Sequence, residues 1–373
     1  MTNAKPDVRP ARPFFSSGPC AKPPGWSPDQ ISTESLGRSH RSKLGKARLK
    51  HCIDLMRELM ELPDTHRIGI VPGSDTGAFE LAMWTMLGAR PVTTLAWESF
   101  GEGWVTDAVK QLRLDPTVVR ADYGALPDLA QVDWSNDVLF TWNGTTSGVR
   151  VPGGEWIAAD RQGLSFADAT SAVFAYEIPW DKVDVATFSW QKVLGGEGAH
   201  GVLILGPRAV ERLESHTPAW PLPKLFRLTS KGKLNEGVFS GETINTPSML
   251  AVEDAIFALE WAKSVGGHAG MVARTQGNAA ALDRIVRERN WLSHLAADPA
   301  SRSRTSVCLT ADGADEARIK RMAALLEAEG AAYDIAGYRD APPGLRIWCG
   351  ATVDTADIEA LGPWLDWAWE QTA

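Results

Sequence analysis

The sequence predicts an α/β protein, with a large domain built on a mostly parallel central sheet flanked by helices and a smaller C-terminal α+β domain. Three observations carry this expectation. Short apolar runs alternate with helix-period segments through the first part of the chain, which is the pattern of repeated strand-helix-strand units. The runs are apolar almost without interruption, as strands covered on both faces are. A chain of 373 residues also exceeds one small core, so length favours about two domains. The expected division is an extended N-terminal arm over 1–30, the large domain over 31–265 and the small domain over 266–373.

The arm is rich in proline, including Pro19, Pro23, Pro24 and Pro28, and is expected to run extended over the surface without forming a helix. Leu49, Ile53, Met56, Leu59 and Met60 recur at helical spacing, which predicts an amphipathic helix over 46–62 that Pro63 ends. A strand over 68–71 leads into Gly73-Ser74-Asp75-Thr76-Gly77 and a helix that stops at Gly88. Further strands are predicted over 93–96, 117–120, 138–141, 163–168, 185–189 and 202–205. Helices over 248–265 and 272–289 lead out of this region. The remainder holds strands over 306–309 and 344–349, an alanine-rich helix over 315–330 and a last helix over 355–370.

Composition excludes several classes of function. Net charge is −8, so the chain lacks the positive field on which nucleic-acid binding relies, and DNA and RNA are not expected as partners. Cys20, Cys52, Cys308 and Cys349 lie far apart with no CxxC pair, which argues against a zinc site or a disulfide framework and fits a reducing compartment. The N-terminal segment has no apolar core, and no run is long enough to span a bilayer, so no membrane association and a cytoplasmic location are expected.

The chemistry concentrates in two stretches, Phe166-Ala167-Asp168-Ala169-Thr170 and Ser189-Trp190-Gln191-Lys192-Val193-Leu194-Gly195-Gly196. A lone lysine in a glycine-rich turn, downstream of an aspartate at a strand end, is what pyridoxal phosphate chemistry requires. The lysine forms a Schiff base, and the carboxylate keeps the ring nitrogen protonated. Residues 73–77 lie between a strand and a helix, where backbone N–H groups and the helix dipole favour a phosphate. Taken alone, that loop reads more simply as a helix capped by Ser74, Asp75 or Thr76. Trp104 follows a strand and two glycines, where an indole stacks on a cofactor ring or fills the core. Asn143-Gly144-Thr145-Thr146-Ser147-Gly148 places hydroxyls at the carboxyl end of a strand, where open α/β sheets bind ligands. Ser39-His40-Arg41, Tyr338-Arg339 and Arg346 offer guanidinium groups suited to carboxylate or phosphate. On its own, the basic stretch around His40 and Arg41 reads as a solvated helix face.

These residues together resemble the class V branch of the fold-type I pyridoxal-phosphate-dependent transferases, and within it the phosphoserine aminotransferases. The likeness runs through Phe15-Ser16-Ser17-Gly18-Pro19, Ser39-His40-Arg41, Asn143-Gly144-Thr145, Ala167-Asp168, Gln191-Lys192, Asn245-Thr246-Pro247 and Gly344-Leu345-Arg346. It implies that Lys192 is the Schiff-base lysine and Asp168 the partner of the pyridinium nitrogen, with Trp104 stacked on the ring and Thr145 near its phenolic oxygen. Asp75, Thr76 and Gln191 would hold the cofactor phosphate, joined by Asn245 and Thr246 from the second subunit of a homodimer. Arg346 would bind the substrate α-carboxylate. Arg339, with His40 and Arg41 of the neighbouring subunit, would clamp the phosphate of phosphoserine or the distal carboxylate of glutamate. The implied reaction is reversible transamination between phosphoserine and 2-oxoglutarate in serine biosynthesis, with phosphohydroxythreonine in pyridoxine biosynthesis as a second substrate.

Two departures stand out. Tyr338 replaces a family histidine, and Asp75-Thr76 stands where some members place an arginine, so Asp75 is expected to offer its N–H and not its carboxylate. The alternatives are another class V aminotransferase, acting on serine or alanine with glyoxylate, and a non-catalytic protein that binds the cofactor or a phosphometabolite.

Overall fold

Residues 4–373 are described in a computed structural model. In chain order the strands are β1 (Arg67–Pro72), β2 (Val92–Ala96), β3 (Thr117–Arg120), β4 (Asp137–Thr141), the short hairpin β5 (Asn143–Gly144) and β6 (Val149–Arg150), β7 (Ser165–Asp168), β8 (Val185–Ser189) and β9 (His200–Leu205). A second short hairpin, β10 (Thr229–Ser230) and β11 (Lys233–Leu234), precedes β12 (Leu292–His294), β13 (Ser306–Ala311) and β14 (Leu345–Trp348). The helices are α1 (Lys43–Leu59), α2 (Ser74–Met86), α3 (Ser99–Thr106), α4 (Pro207–Ser215), α5 (Met249–Ser264), α6 (Gly267–Arg287), α7 (Glu316–Ala328) and α8 (Thr355–Gln371).

Seven strands form the central sheet in the order β1-β9-β8-β7-β4-β2-β3. Only β9 runs against the rest: β3, β2, β4, β7 and β8 pair in parallel, and β9 pairs antiparallel with both β8 and β1. The parallel strands therefore end at one edge, and α2, α3 and the turns after β4, β7 and β8 meet there. That edge is where α/β sheets bind ligands. The inner strands β2, β4, β7, β8 and β9 are buried at every residue, their few polar side chains included, which explains their mainly apolar sequences. A separate antiparallel sheet, β12-β13-β14, packs with α6, α7 and α8.

The opposite edge of the central sheet is tied by arginines. Asp137, fully buried at the start of β4, pairs with Arg212 of α4 at 2.7 Å. Asp184, just before β8, pairs with Arg161 at 3.0 Å and Arg208 at 2.9 Å. Each of these carboxylates is desolvated but charge-matched.

Most predicted elements lie within a few residues of those observed. The first helix is shifted to Lys43–Leu59: Ser42 accepts from Gly45 N at its start, and Glu61 takes a positive φ of 51° before Pro63 is reached. Two helices, α3 and α4, the strand β12 and the short hairpins β5-β6 and β10-β11 have no counterpart among the predicted elements. In α3, which holds Gly101 and Gly103, the Glu98 carboxylate caps the helix by accepting from Gly101 N at 2.8 Å. Helix α4 opens with Pro207 after Gly206, and β12 is only three residues long.

The arm departs from expectation. It is extended, broken by a turn at Pro23–Trp26 and a short helical turn at Pro28–Gln30, but it does not lie wholly over open surface. Phe15 and Ser17 are buried, Phe15 O accepts from Trp348 N at 3.0 Å, and Cys20 N donates to Gln191 O at 2.8 Å. The arm is threaded between β14 and the Lys192 turn, where Phe15, Ser17, Cys20 and Ala21 are buried, while Val8 and Phe14 remain exposed.

Candidate active site

Lys192 follows β8 in a turn closed by Gly195 N to Lys192 O at 2.9 Å and Gly196 N to Trp190 O at 2.8 Å. Gly195 has φ of 65°, and a Cβ there would overlap the Ala21 carbonyl, so glycine is required both by conformation and by the approach of the arm. The Lys192 side chain is buried, and its Nζ donates to Ser17 O at 2.5 Å. Gly18 gives it room, since a Cβ at Gly18 would overlap Nζ. Burial is the main force lowering the Lys192 pKa from its usual value, and the Arg346 charge adds to it, against the opposite pull of Cys20, Asp168 and Glu98. A lysine so placed reaches its neutral, reactive form more readily than an exposed one.

Asp168 ends β7 and is likewise buried. Unlike Asp137 and Asp184 it takes neutral donors: Trp104 Nε1 to Oδ2 at 3.1 Å and Thr170 N to Oδ1 at 3.1 Å. Trp104, on α3, also packs on Phe79 with ring centroids 4.5 Å apart. The sequence raised stacking for this indole; its N–H bond to Asp168 had no sequence signal. Thr145 Oγ1 donates to Ser171 Oγ at 2.9 Å, and Asn143 Nδ2 donates to the same oxygen at 2.8 Å, fixing the turn after β4.

The loop after β1 does not carry the simpler cap reading. Gly73, with φ of 86°, is the N-cap residue of α2 and offers no side-chain acceptor, and none of Ser74, Asp75 or Thr76 caps the helix. Gly73 N and Ser74 N donate to Ala199 O, which leaves the Asp75 and Thr76 N–H groups at this end of α2 for an anion. The Asp75 side chain is buried, and Asp168 lines the same cleft and bears on it electrostatically.

One cleft is lined by Asp75, Thr76, Trp104, Thr145, Asp168, Gln191 and Lys192, with Glu98, Phe100, Asn143 and Thr170 among the remaining wall residues. Sequence reasoning passed over Glu98. It is buried, accepts from Gly101 N and from Thr146 Oγ1 at 2.8 Å, and is pushed up to about 7 chiefly by burial. Several polar atoms in and beside this cleft have no protein partner, including Asp75 Oδ1, Thr141 Oγ1, Thr170 Oγ1, Gln191 Oε1 and Arg346 Nε. An unpaired buried polar atom costs about 1–3 kcal/mol, so the cluster is poised for a polar ligand. A phosphate at the α2 N-terminus, an aldehyde near Lys192 and a ring nitrogen at Asp168 would match these donors and acceptors, and the residues thus fit pyridoxal phosphate.

The proposed substrate residues divide. Arg346, on β14, acts electrostatically on Lys192, and its guanidinium lies 5.5 Å from the Tyr338 ring centroid. Tyr338 packs near Phe100 at 5.9 Å, while Arg339 is exposed with Asp340 at 3.5 Å. His40 and Arg41 do not join the Lys192 cleft. They line a separate pocket with Lys46 and Gly241-Glu242-Thr243, close in sequence to the exposed Asn245 and Thr246.

No protein-family model matches the chain. The phosphoserine aminotransferase of Methanosarcina barkeri is 58% identical over 366 residues, covering 98% of this chain and 99% of that protein. Among solved structures, a phosphoserine aminotransferase from Cytophaga hutchinsonii aligns with a TM-score of 0.82 at 20% identity, covering 95% of this chain and 98% of that one. An alanine–glyoxylate aminotransferase from Nostoc sp. aligns at 0.80 and 18% identity, covering 98% and 97% respectively, so the fold is shared across substrate classes. The near full-length match at 58% identity to the Methanosarcina barkeri relative goes beyond fold: this chain belongs to the phosphoserine aminotransferase family.

Proposed function

We propose that the protein catalyses reversible transamination between O-phospho-L-serine and 2-oxoglutarate, giving 3-phosphohydroxypyruvate and L-glutamate, with pyridoxal phosphate as cofactor. The observation that carries this reading is the convergence, in one cleft, of a buried lysine, a strand-end aspartate and an uncapped helix N-terminus. Bound there, pyridoxal phosphate supplies an aldehyde for amine exchange and an electron-withdrawing ring that stabilises charge at the substrate α-carbon.

The chain's residues supply the rest. Lys192 Nζ takes the proton from the substrate α-carbon, a role that suits an amine whose pKa burial has lowered. Asp168 holds a proton at the ring nitrogen. The Asp75 and Thr76 N–H groups, with Gln191, bind the phosphate, and Thr145 orients the ring at its phenolic oxygen. Arg346 binds the substrate α-carboxylate through a guanidinium whose Nε is free of protein partners. The arm over Lys192 helps exclude water.

The protein works as a homodimer on this reading. His40, Arg41, Asn245 and Thr246 lie outside the cleft of their own chain, and a twofold interface would carry them to the cleft of the other. His40 and Arg41 would then join Arg339 around the distal phosphate or carboxylate. Phosphohydroxythreonine, for pyridoxine biosynthesis, is a second substrate on the same chemistry, and cytoplasmic location follows from the metabolic role. No described helix is long and apolar enough to cross a membrane.

Half-reaction spectroscopy tests the assignment. Phosphoserine, serine and alanine are added separately to the cofactor-loaded protein, and loss of its visible absorbance is followed. Rapid loss with phosphoserine alone is expected. Preference for serine or alanine would favour the glyoxylate-using relatives that share the fold, and absorbance that no amino acid discharges would indicate a binding protein without turnover.

A further inference from the structure

Asp75 is a buried carboxyl group with no ion-pair partner among the described residues. Its Oδ1 has no protein donor, although the Thr170 and Thr187 hydroxyls lie beside it, themselves without a well-formed hydrogen bond. Its other neighbour is Asp168, close enough for the two carboxyl groups to share a hydrogen. The buried carboxylates at the far edge of the same sheet, Asp137 and Asp184, are matched by arginines. Two adjacent carboxylates in a buried site cannot both carry charge at modest cost, so one must retain a proton.

The donors decide which. Asp168 already receives Trp104 Nε1 and Thr170 N, both of which stabilise an anion, and the Lys192 charge bears on it from the turn after β8. Glu98, ahead of α3, adds another acidic group to the wall of the same cleft, and the Asp168 charge helps push its carboxyl up. Asp75 has neither an ion-pair partner nor a backbone donor among the described residues. Burial and the Asp168 charge both push its carboxyl well above the usual carboxylate range.

We propose that Asp75 and Asp168 form a buried carboxyl pair holding one proton, carried by Asp75 and donated to Asp168, which makes Asp75 the positioning residue for Asp168. The pair then bears a single negative charge, matching the single positive charge of a protonated ring nitrogen. This rests on the reading of Asp168 as the ring-nitrogen partner, but the proton itself is a property of the cofactor-free protein.

Infrared difference spectroscopy of the full-length, cofactor-free protein at about pH 8, above the value near 7 toward which Glu98 is pushed, reads that proton directly. The wild type is expected to show the carbonyl band of an un-ionised carboxylic acid, and Asp75→Asn to lose it. Glu98→Gln is expected to retain it, which keeps the test decisive if Asp75→Asn fails to fold. Absence of the band in the wild type, or its loss in Glu98→Gln, would overturn the proposal. In the cofactor-loaded protein, Asp75→Ala is expected to shift the pH midpoint of the visible band, and Asp75→Asn, which still donates, to return it toward wild type; equal midpoints in all three would overturn the positioning role. Failure of the wild type to take up pyridoxal phosphate would sink the cofactor reading while leaving the acid band as its own result.

Discussion

Trp104 Nε1 lies 3.1 Å from Asp168 Oδ2, so the residue assigned to stack on the cofactor also holds the carboxylate assigned to its nitrogen. The two functions are separable. Trp104→Phe retains an aromatic face against Phe79 but removes the donor, and a hydrogen bond to a charged group contributes about 1.5–3 kcal/mol. The variant is expected to fold normally by circular dichroism and to lose about tenfold or more in kcat/KM. Wild-type kcat/KM would show that the bond does not matter.

Lys192→Ala should abolish turnover and alter the visible spectrum of the protein mixed with pyridoxal phosphate. The dimer proposal adds a stronger test. Inactive Lys192→Ala and Arg41→Ala chains, allowed to exchange subunits, should regain activity, because some mixed dimers contain one cleft with both residues intact. If exchange is demonstrated and no activity returns, the shared site is wrong.

Gly195→Ala places a side chain at φ of 65° and against the Ala21 carbonyl. Backbone strain of this kind costs on the order of 1–3 kcal/mol. A lower melting temperature is expected, together with weaker cofactor retention, since the arm and the Lys192 turn are displaced together. A Gly153→Ala control, where a Cβ meets nothing within 4 Å, should leave both unchanged.

His200 supplies a pH prediction. Its Nε2 accepts from Ser248 N at 3.1 Å, which requires the neutral ring, and burial pushes its pKa down to about 4. A folded pKa below the unfolded value means the unfolded chain binds the extra proton first, so this contribution is intact above about pH 6.5 and is lost as pH falls toward 4. His200→Gln, which can still accept from Ser248, should flatten the fall in melting temperature over that window. An unchanged pH profile would show that His200 does not contribute. Because Ser248 follows Asn245-Thr246-Pro247, the same bond also anchors the loop proposed to reach the second subunit.

The distal clamp is tested by contrast. Arg346→Lys should raise KM for phosphoserine, glutamate and alanine alike, since all carry the α-carboxylate and lysine cannot reproduce a two-point guanidinium contact. Arg339→Ala should raise KM for phosphoserine and glutamate and leave alanine almost unaffected. A uniform effect of both substitutions would place Arg339 outside substrate recognition.

The alternation of apolar strands with amphipathic helices was enough to give the fold class, because burial on both faces of a parallel sheet leaves a direct imprint on local sequence. Lys192, Asp168 and the loop before α2 were legible for a related reason: strand-to-helix turns and glycines fix where such groups sit. The sequence could not show that Trp104 holds Asp168, that Glu98 caps α3, that the arm is buried over Lys192 or that Asp75 faces Asp168. Each of those depends on segments distant in the chain, and such contacts leave no periodicity. His40 and Arg41 mark the boundary most clearly: the resemblance offered them as anion-binding groups, and the tertiary structure sets them apart from the Lys192 cleft, because the turn before α1 that holds them packs beside Gly241-Glu242-Thr243, a segment distant in the chain.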